Sequence, residues 1–247
     1  MIVAVTMVKD EDDVIGTVIP HLFAHGIDRM IVSDNMSTDD TRDILETLAV
    51  DYDITIIDDH EPGYYQSAKM SRLAVQAWEQ GATWVLPFDA DELFYSPTHD
   101  TIVEALKDCD ADVVLAWGWD HIPQSADILR LDPMRRMVWR RDHHQTMPKC
   151  AFRADPAAVL KMGNHDVVRT GTRLDGPLAY RHYQWRSFEQ MTRKVRQGRA
   201  AYEVSDLHKS HGAHWRKLGA LTDEQLAEVW QALLDSKDLI CDPAPVR

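Results

Sequence analysis

The feature that most constrains the fold is the stretch Trp84-Val85-Leu86-Pro87-Phe88-Asp89-Ala90-Asp91-Glu92, an apolar run that stops on three carboxylates. A strand buried on both faces reads as such a run, and in open α/β sheets ligands bind just beyond the carboxyl ends of the strands. Asp89 and Asp91 stand there. Two carboxylates one residue apart can share a hard divalent cation, and Mg2+ or Mn2+ so held completes its shell with water and phosphate oxygens. The ligand such a centre suits is a diphosphate. A short acidic cluster can also do no more than solvate a strand-to-helix turn, so the surroundings of the run decide its meaning.

Those surroundings alternate regularly. Ile2 to Val8 is a strand-type run, and Lys9-Asp10-Glu11-Asp12-Asp13 reads as the acidic first turn of a helix carried on by Val14, Ile15, Val18, Ile19 and Leu22. Gly26 ends it. Arg29 to Ser33 is a second strand, followed by a polar loop from Asp34 to Thr41 whose Ser37 or Thr38 can cap a helix through Leu48. Ile54 to Ile57 is a third strand, and Gln66 to Gln80 a helix with Ala68, Leu73, Ala74 and Ala77 inward and Gly81 as its stop. Beyond Asp89 come a helix over Thr101 to Lys107 and a strand over Asp112 to Trp119. Strands alternating with helices in this way imply an α/β fold with a mostly parallel central sheet flanked by helices.

After Trp119 the alternation is lost. His121 to Pro148 reads as a long excursion of loops or an antiparallel extension, a usual place for substrate contacts. Val159-Leu160 and Leu178-Ala179-Tyr180 are short strand candidates, Ser187 caps a helix to about Tyr202, and Thr222-Asp223-Glu224-Gln225 opens a last helix through Leu234 ahead of a loose tail, Asp242 to Pro245. At 247 residues a single domain is expected, divided into an α/β half over 1–120, an extension over 121–220 that closes on the site as a lid, and a helix and tail over 221–247.

Composition narrows the class. The chain is 45% hydrophobic and 27% charged, without an apolar run long enough for a membrane span, so no integral membrane association is expected. The amino terminus has no basic leader, and Cys109, Cys150 and Cys241 are widely spaced without a CxxC pair, which together predict a cytoplasmic address and neither disulfides nor a structural zinc. The net charge of −13 is unevenly placed. Residues 1–128 carry 6 Lys and Arg against 26 Asp and Glu, residues 129–217 carry 19 against 8, and residues 218–247 carry 2 against 6. A basic segment in an acidic protein suits an anionic ligand, while the total is too acidic for general nucleic-acid affinity.

Several residues in order resemble the family 2 glycosyltransferases of GT-A fold. Lys9-Asp10-Glu11 is similar to the family's opening, Val32 to Thr41 looks like its "DDGSTDGT" segment with Ser33 and Asn35-Met36 departing from it, and Leu86 to Glu92 resembles its "DxD" signature in the branch where Glu follows. Gly163-Asn164-His165-Asp166 and His182-Tyr183-Gln184-Trp185-Arg186-Ser187, ahead of a helix with Lys194 and Gly198, look like later segments of that branch.

The resemblance implies transfer of a sugar from a nucleotide-diphosphate donor, a UDP-sugar first among them, to a small-molecule, glycan or peptide acceptor, with inversion and with Mn2+ or Mg2+ on the leaving diphosphate. Residues 1–120 then bind the nucleotide-sugar and 121–220 face the acceptor. Asp89, Asp91 and His165 are the expected metal ligands; Thr6, Lys9, Asp34, Lys69, Asp89 and His165 the expected donor contacts; and Asp166 the expected general base. His208, His211 and His214, three residues apart, read as a loop near the diphosphate, not a zinc site, and Trp117 and Trp119 as core in preference to a sugar-stacking wall. The rival enzyme is a sugar nucleotidyltransferase, which normally carries a Gly-rich phosphate loop after the first strand; this chain has Val8-Lys9-Asp10-Glu11 there and no Gly-x-Gly anywhere. The non-enzyme rival is a degenerate scaffold of the same fold.

Overall fold

The computed structural model describes residues 1–127 and 129–245; Ile128, inside the expected excursion, and residues 246–247 lie outside the described residues. The first half runs β1 (Ile2–Val8), α1 (Ile15–Ala24), β2 (Arg29–Asp34), α2 (Thr41–Leu48), β3 (Ile54–Asp58), α3 (Gln66–Glu79), β4 (Trp84–Pro87), β5 (Glu92–Tyr95), α4 (Ile102–Lys107) and β6 (Val113–Asp120). The second runs α5 (Pro133–Arg136), β7 (Trp139–Arg141), β8 (Lys149–Arg153), β9 (Val159–Leu160), a 3-10 turn (Met162–Asn164), β10 (Val167–Val168), β11 (Arg173–His182), α6 (Phe188–Glu203), α7 (Ala213–Leu218), α8 (Asp223–Leu234) and β12 (Leu239–Cys241).

Eight strands form one sheet in the order β3-β2-β1-β4-β8-β6-β11-β5. β1 to β4, β6 and β11 point one way, and only β5 and β8 run against them. The mostly parallel α/β sheet is therefore as expected, with two reversed strands that the apolar pattern did not mark. Their reversal places the first residues of β5 and β8 at the edge where the six parallel strands end. Along that edge Val8 pairs with Asp34, Asp34 with Asp58, Asp120 with His182, and His182 with Glu92.

Alternation along β1 fills both faces. Ile2, Ala4 and Val8 join Ile15, Val18, Ile19 and Leu22 of α1, whereas Val3 and Val5 meet Met70, Leu73, Ala74 and Ala77 of α3. Each valine, leucine, isoleucine or methionine among them stabilises the fold by about 1.5–3 kcal/mol when withdrawn from water. A third cluster joins α6, α7 and α8 through Met191, Val195, Trp215, Leu226 and Trp230, across the division expected at residue 220. Ser187 caps α6 by accepting from the Gln190 N–H, and Thr222 and Gln225 close a capping box on α8.

Three local expectations are corrected. No acidic residue lies in the first turn of α1, because Lys9 to Asp13 forms a loop with stronger partners than a helix dipole. Asp10 Oδ1 accepts from the Thr38 N–H at 2.6 Å and the Ser37 hydroxyl accepts from the Asp10 N–H at 3.1 Å. Ser37 and Thr38 are thereby spent on that loop, and the residue before α2 is Asp40. The tail is not loose: β12 pairs with β7, and Asp242 accepts from Arg181 at 2.8 Å. Cys109, Cys150 and Cys241 are free, and no helix among the described residues is long and apolar enough to cross a membrane.

Candidate active site

A cavity of about 690 Å³ opens on the carboxyl edge of the sheet, within the range of roughly 300–1,000 Å³ usual for small-molecule sites. The turn from β4 to β5 supplies its acids. Asp89 Oδ1 accepts from Asn164 Nδ2 at 3.0 Å and Gln66 Nε2 at 3.3 Å, while Oδ2 pairs with Lys149 Nζ. Lys149, at the start of β8, also pairs with Glu92 Oε1 at 2.7 Å. Glu92 is 1% exposed, and burial pushes its carboxyl up to about 7 against the pull of Lys149.

Asp91 is held differently. Its Oδ2 lies 2.6 Å from Lys194 Nζ on α6 and 3.8 Å from Arg186, and its Oδ1 lies 3.8 Å from His182 Nε2 at the end of β11. Burial alone would raise this carboxyl, but Lys194, His182 and Arg186 hold it well below the usual carboxylate range. Arg186 is fully buried and also grips Glu11 at 2.5 Å and Asp13 at 2.7 Å. Arg136, Lys149, Arg169, Arg186, Arg193 and Lys194 of the basic segment are thus paired with acids of the first half.

The residues present can be tested against a divalent cation. No three His, Cys, Asp or Glu side chains among the described residues form a ready ligand set. Mg2+ or Mn2+ bound with a diphosphate needs only one or two protein donors, however. Asp91 Oδ1 and His182 Nε2 face each other beyond hydrogen-bond distance, and Asp120 Oδ1 sits 2.7 Å from Nδ1 on the far side of the imidazole. A carboxylate behind a histidine is the arrangement that orients metal-bound imidazoles, so this pair fits a hard divalent cation. Asp89 is less suited, both of its oxygens being engaged by Lys149, Asn164 and Gln66.

Of the expected site residues, Lys9, Asp89, Asp91 and His165 line the cavity. The others do not. Thr6 is fully buried in the strand, Asp34 accepts from the Ser37 N–H at 3.1 Å to close its own loop, and Lys69 binds Asp59 at 2.6 Å and the Glu61 carbonyl at 2.7 Å. Lys9 itself donates to the Asn35 and Met36 carbonyls. Asp166 stands off the cavity, bound by Arg173 at 2.6 Å and Lys161 at 2.8 Å, which hold its carboxyl below the ordinary value although burial opposes them.

His165 faces inward. Its Nδ1 lies 3.0 Å from the Pro148 carbonyl, which can only accept, so Nδ1 carries the proton and Nε2 is left as the acceptor. Burial and the charge of Lys149 lower its pKa and keep the ring neutral at pH 7. Gly163 has φ +75°, and a Cβ there would come within 2.4 Å of the ring, so glycine both makes the turn and seats the imidazole.

His211 and His214 line the cavity on either side of left-handed Gly212, the first on the turn before α7 and the second in its first turn, so they do not share one helical face. Trp117 and Trp119 are half-buried, covered by His144 and Arg140 in place of core aliphatics. Sequence reasoning missed the individual placements of Lys149, His182, Asp120 and Lys194: the basic excess of residues 129–217 covered Lys149 and Lys194, the later segments of the resemblance held His182 and Lys194, and Asp120 was marked only by its place at the end of a strand.

No curated protein matches the sequence. Among solved structures, the chain is similar to residues 1–349 of S. aureus TarS in complex with UDP-GlcNAc, at 14% identity over 87% of this chain and 70% of that one, with a TM-score of 0.47. It is similar also to glucosyl-3-phosphoglycerate synthase from Mycobacterium tuberculosis in complex with Mn2+, UDP and phosphoglyceric acid, at 15% identity over 62% and 56% of the chains and a TM-score of 0.38. A family model matches well over half of the chain: residues 4–168, from β1 through β10, match Glycosyl transferase family 2, to which this protein therefore belongs as a glycosyltransferase.

Proposed function

We propose that the protein transfers a sugar from a nucleoside-diphosphate donor to an acceptor hydroxyl with inversion, using Mn2+ or Mg2+ held by Asp91 and His182. The observation that carries this reading is the pairing of Asp91 with an Asp120-backed His182 in a cavity rimmed by Lys9, Lys149 and Lys194. A bound divalent cation supplies charge neutralisation for the departing diphosphate. Lys149 and Lys194 add positive charge where negative charge grows on the departing diphosphate. His165 Nε2 takes the acceptor proton as the acceptor oxygen bonds to the anomeric carbon and the bond to the diphosphate breaks. The rival nucleotidyltransferase reading lacks support, since the loop after β1 donates no row of glycine amides.

The test is a thermal-shift series with UDP, with Mn2+ or with chelator. A ligand at 100 times its Kd adds about 2.7 kcal/mol of stability. Equal shifts in the two conditions would remove the metal, and no shift with any of the common nucleoside diphosphates would remove the donor class.

A further inference from the structure

We propose that Lys194 is a built-in counter-ion which a divalent cation displaces from Asp91, and that the freed ammonium then binds the donor diphosphate. The inference rests on the function proposed above and assigns a role to a residue beyond the stretch that the family model matches.

Lys194 Nζ lies 2.6 Å from Asp91 Oδ2 and 2.8 Å from Glu11 Oε1. A cation bound by Asp91 meets the ammonium as a competitor for the same carboxylate. Displacement by the metal alone leaves an ammonium beside a divalent cation, which is unfavourable at close range in a poorly solvated site. A diphosphate between the two removes that repulsion, because its oxygens accept from Nζ and bind the metal together. Binding of metal and of diphosphate is then mutually dependent, and by linkage each strengthens the other.

The geometry permits the exchange. Glu11 remains as an anchor for Nζ, itself fixed by Arg186 at 2.5 Å, so the ammonium turns within the site without leaving it. The cavity-facing residues of α6 are Lys194, Gln197, Gly198, Ala201 and Tyr202, among which Lys194 is the one charged side chain. Arg186 cannot make this movement: it is fully buried and bound by Glu11, Asp13 and the Tyr183 carbonyl. Lys149 is committed to Asp89 and Glu92.

The test is Lys194→Met, which keeps most of the side-chain volume and removes the charge, with Lys194→Gln as a second variant should the first fail to fold by circular dichroism. Mn2+ is titrated into the protein without nucleotide, and UDP is titrated in saturating Mn2+. The variant is expected to bind Mn2+ alone about tenfold or more tightly than the wild type, and UDP about tenfold or more weakly, as the loss of one charge-assisted bond gives. Unchanged or weaker Mn2+ binding in a folded variant overturns the displacement, and unchanged UDP binding overturns the hand-over. A wild type that binds UDP with Mn2+, beside variants that behave identically, removes this role of Lys194 alone. A wild type that binds neither removes the proposed function and this inference together.

Discussion

Arg186 and Glu11 are 175 residues apart in the chain, yet the guanidinium of one meets the carboxylate of the other at 2.5 Å with the arginine fully buried. The turn before α6 is thereby fastened to the loop after β1, and Arg193 and Gln197 of α6 extend the fastening to Asp10. Acidic and basic segments thereby meet in one network, of which Glu11, Asp91 and Lys194 line the cavity.

The first prediction concerns that fastening. Removing one member of a buried ion pair strands the other, at a cost of about 3–5 kcal/mol. Arg186→Met should lower stability by that amount in denaturant unfolding. Arg186→Lys should recover only part, because an ammonium cannot span Glu11, Asp13 and the Tyr183 carbonyl as a planar fork does. Equal stability of Arg186→Met and wild type would show the network to be inessential.

Asp91 and Asp89 should separate under the same substitution. Asp91→Asn removes a donor that faces His182 and should abolish the Mn2+-dependent part of the UDP-induced thermal shift. Asp89→Asn loosens Lys149, Asn164 and Gln66 but leaves Asp91 and His182 in place, so the shift should persist at reduced size. A metal-dependent shift that survives Asp91→Asn and vanishes in Asp89→Asn would place the cation on the first carboxylate instead.

How far the sequence could be read follows from the range of each signal. The parallel strands announce themselves as runs such as Ile2 to Val8 and Trp84 to Phe88, and the caps Ser187 and Thr222 act within three residues. β8 was silent because Lys149 to Arg153 offers three apolar residues between two cations, and β5 because its acidic start reads as the end of the preceding motif. Asp89 and Asp91 were legible as neighbours in the chain. His182 and Asp120 were not, since they meet only through the pairing of β6 with β11, 62 residues apart. Thr6, Asp34 and Lys69 carry the right chemistry at the right edge, but each is satisfied by its own strand or loop.

The choice of general base is open to a direct comparison. His165→Gln keeps an amide that can hydrogen-bond but no proton-accepting nitrogen, and kcat should fall by about 10²–10⁴ with little change in UDP binding. Asp166→Asn breaks pairs with Lys161 and Arg173 outside the cavity and should leave kcat within severalfold of wild type. The opposite result, a silent His165→Gln and an inactive Asp166→Asn, would return the base to Asp166.

The carboxyl-terminal clasp makes a prediction in pH. Asp242 accepts from Arg181 at 2.8 Å, pairs with Arg140 at 3.3 Å and faces His121 at 3.6 Å. Burial would raise its carboxyl, but His121 and Arg181 outweigh that and hold it well below its ordinary value. A carboxylate depressed in the folded state contributes stability above the unfolded pKa, about 3.9, and loses it as the pH falls toward the folded value. Asp242→Asn should therefore lower Tm at pH 7, by about 2–4 °C for each kcal/mol lost in a chain of this size, with a gap from wild type that narrows steadily below about pH 4. A gap that stays constant down to pH 3 would mean that β12 is held by its pairing with β7 and not by the charge on Asp242.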